Sequence, residues 1–106
     1  MIGDMQKWTP NIAGIIEHAK KIHPKSEIIS KLTNGDIHRT NYDEVCVRSR
    51  KLASKLCQDG YKEGDVLATL ALNTYRHLEI YYGVSGMGGI VHTLNFRLHP
   101  DQAKYI

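Results

Sequence analysis

Hydrophobic residues change rhythm several times along the chain, and each rhythm predicts an element. Ile12, Ile15, Ile16, Ala19 and Ile22 recur at helical spacing, which predicts an amphipathic helix. Thr9-Pro10 suits its start, with Thr9 as the capping residue and Pro10 at the first helical position, and His23-Pro24 ends it. Residues 1–8 read as an extended lead-in. Two short strand-like runs, 27–32 and 37–40, flank Thr33-Asn34-Gly35-Asp36 and predict a β-hairpin, with Asn34-Gly35 suited to the positive φ angles of a type I′ turn. A long helix should start at Thr40, where Thr40 and Asp43 make a capping-box pattern and Asp43 and Glu44 complement the helix dipole. Its buried face is Tyr42, Val45, Cys46, Ser49, Leu52, Ala53, Leu56 and Cys57; Arg48, Lys51, Lys55 and Gln58 face elsewhere, and Gly60 stops it.

The second half has a different period. After a Lys62-Glu63-Gly64-Asp65 turn, residues 66–72 are apolar on both pleat faces, as a parallel strand covered by helices on both sides requires. A largely apolar helix over 75–87 ends at Gly88-Gly89, and a further strand covers 90–95. Strand, helix and strand make one βαβ unit with a right-handed crossover expected. Pro100 then opens a helix that stops with the chain after about two turns. The expected fold class is α/β: a lead-in and first helix (1–26), a hairpin (27–40), a helix (40–59), a βαβ unit (66–95) and the start of a truncated helix (96–106). Two parallel strands leave a sheet edge seeking neighbours, so a truncated chain is expected. The sequence has no internal repeat and no low-complexity linker.

Composition narrows the classes. At 106 residues, 42% hydrophobic and 24% charged, the chain suits one soluble globular domain. The net charge of +3 is small, and fourteen basic residues are interleaved with eleven acidic ones, which does not favour a nucleic-acid or anionic-membrane partner. No stretch has the ~20 apolar residues of a membrane span, and the amino terminus lacks a secretory pattern, so a cytoplasmic protein is expected. Cys46 and Cys57 on one helix are separated by a rise of about 16 Å, too far for a disulfide, and are expected to be reduced core thiols.

Several motifs invite chemistry. Gly83-Val84-Ser85-Gly86-Met87-Gly88-Gly89 looks like a phosphate loop, but it closes a helix, whereas such loops open one; close helix-to-sheet packing and termination account for it better. His18, His23, His38, His77, His92 and His99 show no i, i+4 pair and no Cys-x-x-Cys companion, so no metal ligand set is expected. His77 and Glu79, two apart on a helix, do not face each other and read as surface or packing residues. No Gly-x-Ser-x-Gly elbow or helix-start cysteine offers a nucleophile, and no catalytic residue is assigned. Asn73 and His92-Thr93-Leu94-Asn95 lie at the carboxyl ends of the predicted strands, where open α/β sheets gather ligands; capping of strand-end backbone groups is the alternative.

The string from Gly64, GDVLATLALNTYRHLEIYYGVSGMGGIVHTLNFRL, resembles the amino-terminal region of fatty-acyl-CoA synthetases in the adenylate-forming superfamily. MQKWTPNIAGIIEHAKKIHP is similar to the lead-in helix of the medium- and long-chain branch, and RTNYDEVCVRSRKLASKLCQDGYKEGD to its following helix and Gly-Asp turn. The likeness covers essentially the whole chain, and NTYRHLE followed by HTLN is the more specific part; the branch also holds ligases for short sulfur-bearing propionate derivatives.

The resemblance implies an incomplete part of the synthetase amino-terminal domain. The parent reaction joins a carboxylic acid such as a fatty acid to CoA, converting ATP to AMP and pyrophosphate, and implies ATP, magnesium and CoA for the full-length parent. The family's phosphate loop, metal-binding Glu, ribose-binding Asp and catalytic Lys have no counterpart here, so the fragment alone is expected to bind no cofactor and to be inactive. Asn95-Phe96-Arg97-Leu98 stands where the family has Asn-Pro-Arg-Leu, which makes Arg97 the one candidate binding residue, for a CoA phosphate. Phe96 replaces the family's Pro and frees the backbone before that Arg. A homodimer is an open alternative for partners, and a short interaction module or a decayed gene remnant are the competing readings of the chain.

Overall fold

The structure, a computed structural model, describes residues 3–4 and 7–106; the rest of the expected lead-in lies outside the described residues. The order is α1 (Ile12–Ile22), β1 (Glu27–Lys31), β2 (Ile37–Asn41), α2 (Tyr42–Gln58), β3 (Val66–Thr69), α3 (Tyr75–Gly86), β4 (Ile90–Thr93) and α4 (Pro100–Tyr105). The expected α/β class holds.

Local details depart from the pattern where a better cap was nearby. Helix α1 starts two residues after Pro10, because Asn11 Oδ1 accepts from the Gly14 amide at 2.8 Å. Only Ile16 of its apolar stripe is buried; Ile15 and Ile22 stay more than half exposed. In the hairpin, Gly35 alone takes positive φ (+90°) and Asn34 does not. Gly35 N–H donates to Leu32 C=O and Leu32 N–H to Asp36 C=O, so Thr33-Asn34-Gly35 form a three-residue loop with glycine at its left-handed position, not a type I′ turn. Thr40 is buried in β2, and the cap of α2 is Asn41, whose Oδ1 accepts from Glu44 N–H at 2.9 Å. The Thr40 hydroxyl instead donates to the Glu44 carboxylate at 2.6 Å.

Helices α2 and α3 both end in a Schellman motif, which satisfies carbonyls the last turn would otherwise orphan. In α2, Tyr61 N–H donates to Leu56 C=O and Gly60 N–H to Cys57 C=O; in α3, Gly89 N–H donates to Val84 C=O and Gly88 N–H to Ser85 C=O. Gly60 and Gly88, at φ +97° and +83°, take the left-handed position that a side chain would strain.

The core lies where the helices meet: Ile16, Val45 and Cys46 are buried together, with Ile28, Tyr42, Leu78 and Tyr82 against them. Cys57, expected inside, is exposed, so only Cys46 is a core thiol. Gly83 is the point of closest approach, since a Cβ there would lie 2.9 Å from the Ser49 carbonyl on α2. The glycine run thus serves helix-to-helix contact as well as termination.

Strands β1 and β2 pair antiparallel, Glu27 opposite Asn41 and Lys31 opposite Ile37. Strands β3 and β4 pair parallel, Val66 opposite Ile90 and Thr69 opposite Thr93, as a two-stranded sheet. Both are shorter than the apolar runs that predict them, because Leu70-Ala71-Leu72 and Leu94-Asn95 leave the ladder. The Leu67 and Thr69 side of β3 lies towards α3, while Val66, Leu70 and Ile90 are 62%, 65% and 53% exposed. The second helical layer expected from two-sided apolarity is absent among the described residues. Consistently, the accessible surface of 8242 Å² exceeds the roughly 6,000 Å² of a compact monomer of this mass. The radius of gyration, 16.2 Å, likewise exceeds the roughly 13 Å of a compact chain of this length.

Candidate functional site

A cleft of about 440 Å³ opens at the carboxyl ends of β3 and β4, within the usual size range of ligand pockets. Its polar wall is Ser30, Asn73, Thr74, His77 and Thr93, and Ile28, Leu78 and Tyr81 are apolar. Asn73 and Thr93, marked in the sequence as strand-end positions, therefore share one wall.

Three contacts build that wall. Thr74 caps α3 without a side-chain bond, and the first helical amide, Tyr75 N–H, donates instead to Ser30 Oγ of β1 at 2.9 Å. The hairpin thus caps a helix forty-five residues away in sequence. His38 of β2 stacks on the Tyr75 ring with centroids 3.7 Å apart, fixing the same junction from the other strand. At the far side, His77 Nε2 lies 3.0 Å from Thr69 Oγ1. Because Thr69 is 8% exposed, this contact closes α3 onto the end of β3 and does not present a hydroxyl to a substrate.

The remaining sequence candidates stand apart. His92 alternates to the exposed side of β4. Asn95 caps its own turn, with Oδ1 accepting from Arg97 N–H at 3.0 Å, which agrees with the capping alternative. Arg97 is exposed, its guanidinium 5.4 Å from the centre of the Phe96 ring. Arg97 therefore does not belong to the strand-end cleft.

Glu79, expected from the sequence to be a surface or packing residue, is the packing kind, with an ion-pair partner that its spacing did not indicate. It is buried, and Arg48 Nε donates to its carboxylate at 2.6 Å across the α2–α3 seam. An acid on an otherwise apolar helix face was the available signal, since a buried carboxylate demands a partner. His77 and Glu79 do point to different neighbours, as their spacing requires.

Two ion pairs join α1 to α2: Lys20 lies 3.2 Å from Asp43, and Arg50 reaches Glu17. Arg50 donates to Glu17 at 2.6 Å, and Cys46 Sγ lies 3.5 Å from the same carboxylate. The Arg50 hydrogen bond holds the Glu17 carboxyl below the usual range despite partial burial, and burial followed by the Glu17 contact pushes the Cys46 thiol up. Cys46 is consequently a protonated packing residue.

The glycine run does not fit the phosphates of a nucleoside triphosphate. The amides of Met87, Gly88 and Gly89 are all bonded within the end of α3, at its carbonyl pole, so none is left to cradle phosphate. Among the described residues no three His, Cys, Asp or Glu side chains come together as a metal site would need, and no helix is long and apolar enough to cross a membrane.

Comparison with known proteins now places the fold. Residues 16–106 match the AMP-binding enzyme family, and the chain belongs to it. It is 42% identical, over its full length, to 3-methylmercaptopropionyl-CoA ligase of Ruegeria lacuscaerulensis, of which it covers 20%. It is also 42% identical over its full length to medium-chain-fatty-acid–CoA ligase of Ectopseudomonas oleovorans, covering 19% of that protein. The fatty acyl CoA synthetase of Mycobacterium tuberculosis superposes with a TM-score of 0.77 over 90% of this chain and 18% of that one, at 21% identity, which establishes a shared fold. The chain thus corresponds to the amino-terminal part of such ligases and spans about a fifth of the length of the curated relatives it matches.

Proposed function

We propose that the chain is the amino-terminal framework of an AMP-forming ligase that joins a fatty acid or related carboxylic acid to CoA, and that it is not catalytic alone. The observation that carries this is 42% identity along all 106 residues to ligases five times longer. The buried contacts agree, since Ser30, Tyr75, Thr69 and His77 are spent on holding the hairpin, α3 and β3 together. In the full-length parent, ATP with magnesium supplies the activating group and CoA the accepting thiol; this chain positions strand ends at the start of the domain that holds them. Arg97, exposed and solvated here, is the residue of this chain assigned to a CoA phosphate. A cytoplasmic location and a homodimeric parent complete the reading.

The test is ATP–pyrophosphate exchange with a series of fatty acids, run on the chain alone and on a chimera in which it replaces the matching fifth of the Ectopseudomonas oleovorans ligase. No exchange by the chain alone and clear exchange by the chimera are expected, with Arg97→Ala in the chimera raising KM for CoA several-fold while exchange is unchanged. Turnover by the pure chain, or a folded but inactive chimera, refutes the framework role.

A second reading is favoured by one observation, the exposed Val66, Leu70 and Ile90 on the sheet face. A short product of this kind would act as an interaction module through that face or the adjoining strand edge. Sedimentation of the purified chain separates the readings, because a compact monomer over a wide concentration range excludes self-association through the patch.

A further inference from the structure

The seam between α2 and α3 carries a second cleft, of about 390 Å³, which shares no lining residue with the strand-end cleft. Arg48, Lys51 and Arg76 line it together with Leu52, Ile80 and the buried Glu79. Three cations therefore face one carboxylate, and that carboxylate is already engaged by Arg48. The charge left over in the cleft is positive.

How the two arginines are held gives the cleft its chemistry. Arg48 is anchored through Nε, at 2.6 Å from Glu79 Oε1. Arg76 is anchored in the same manner, Nε donating to the Tyr75 hydroxyl at 3.0 Å with the guanidinium 5.6 Å from that ring's centre. Each thus has its Nε fixed and keeps its terminal amino groups for another acceptor. Fixing a guanidinium in advance removes much of the side-chain entropy that binding would otherwise lose. Two held forks and a mobile ammonium offer more donors than one carboxylate can accept, whereas a phosphate dianion with three terminal oxygens matches them. Leu52 and Ile80 add an apolar wall for the body that carries the phosphate.

We propose that this α2–α3 cleft binds a small organic phosphate, with Arg48 and Arg76 as preset forks and Lys51 as the third cation. The site is separate from the strand-end cleft and does not rest on the ligase reading.

The experiment is a nitrogen-15 NMR titration of the full chain, following the Arg48 and Arg76 Nε–Hε signals, with inorganic phosphate, with phenyl phosphate, and with sodium chloride at matched ionic strength. Saturable shifts of both signals are expected with the two phosphates and not with chloride, and phenyl phosphate should bind about threefold more tightly through the apolar wall. Arg76→Lys keeps the charge and loses the fork, so affinity should fall about fivefold or more, with Lys51→Ala giving a smaller loss and circular dichroism confirming the fold of both. Arg48 is left intact because removing it strands the Glu79 carboxylate. A linear response that chloride reproduces, or equal affinity of Arg76→Lys, would each overturn the proposal.

Discussion

The α2–α3 seam and the β3–β4 sheet each present an apolar face, yet one is closely packed and the other is half bare. Across the seam Val45 is fully buried and Gly83 brings the helices into backbone contact. On the sheet, Val66 and Ile90 sit opposite each other in register and both remain more than half exposed. The seam has both of its surfaces within this chain; the sheet has one. Apolar patterning therefore records where a face is meant to be buried, and only part of that burial is achieved by these residues.

The largest effect that tests this contrast comes from paired truncations of valine. Val45→Ala removes two buried methyl groups and leaves a cavity in the centre of the core, which should destabilise the chain by about 2–3 kcal/mol in urea unfolding. Val66→Ala removes the same atoms from a face already in water and should change stability by less than about 0.5 kcal/mol. Equal losses at the two positions would mean that the sheet face is covered in solution, and would break the comparison.

A somewhat smaller effect sharpens the seam itself. At Gly83 an added Cβ meets the Ser49 carbonyl at 2.9 Å and Leu52 Cδ2 at 3.2 Å. Backbone cannot swing aside as a side-chain tip can, so Gly83→Ala should force the helices apart and cost about 1–2 kcal/mol despite alanine's better helix propensity. Gly86, around which a Cβ meets nothing within 4 Å, is the control, and Gly86→Ala should be neutral to stabilising. A stabilising Gly83→Ala would show that the seam is looser than its geometry.

What the sequence made legible follows the same division. Helices, hairpin and βαβ order were readable because each rests on local periodicity or on Gly and Pro at its ends, as at Gly60 and Pro100. Caps were misplaced by a residue or two at Asn11 and Asn41, since several capping residues stand side by side and tertiary fit chooses among them. Strand-end Asn73 and Thr93 were readable from topology. Ser30 as the cap of α3, and Arg48 as the partner of Glu79, were not, because each contact joins residues more than thirty positions apart. Sequence spacing says nothing about such pairs until the elements are docked.

The smallest effect concerns Ser49, which touches the seam from inside. It is 3% exposed, and its Oγ has no hydrogen-bond partner among the described residues, next to a cavity of about 130 Å³ lined by Cys46, Tyr82 and Gly83. A hydroxyl buried without a partner loses its hydration and regains nothing, whereas the methyl of alanine has no hydration to lose. Ser49→Ala should therefore raise stability by up to about 1 kcal/mol, helped by alanine's helix propensity, in contrast to every other truncation at the seam. A loss on urea unfolding would reveal a bridging water in the cavity, a second polar contact at the seam beside the Arg48–Glu79 pair.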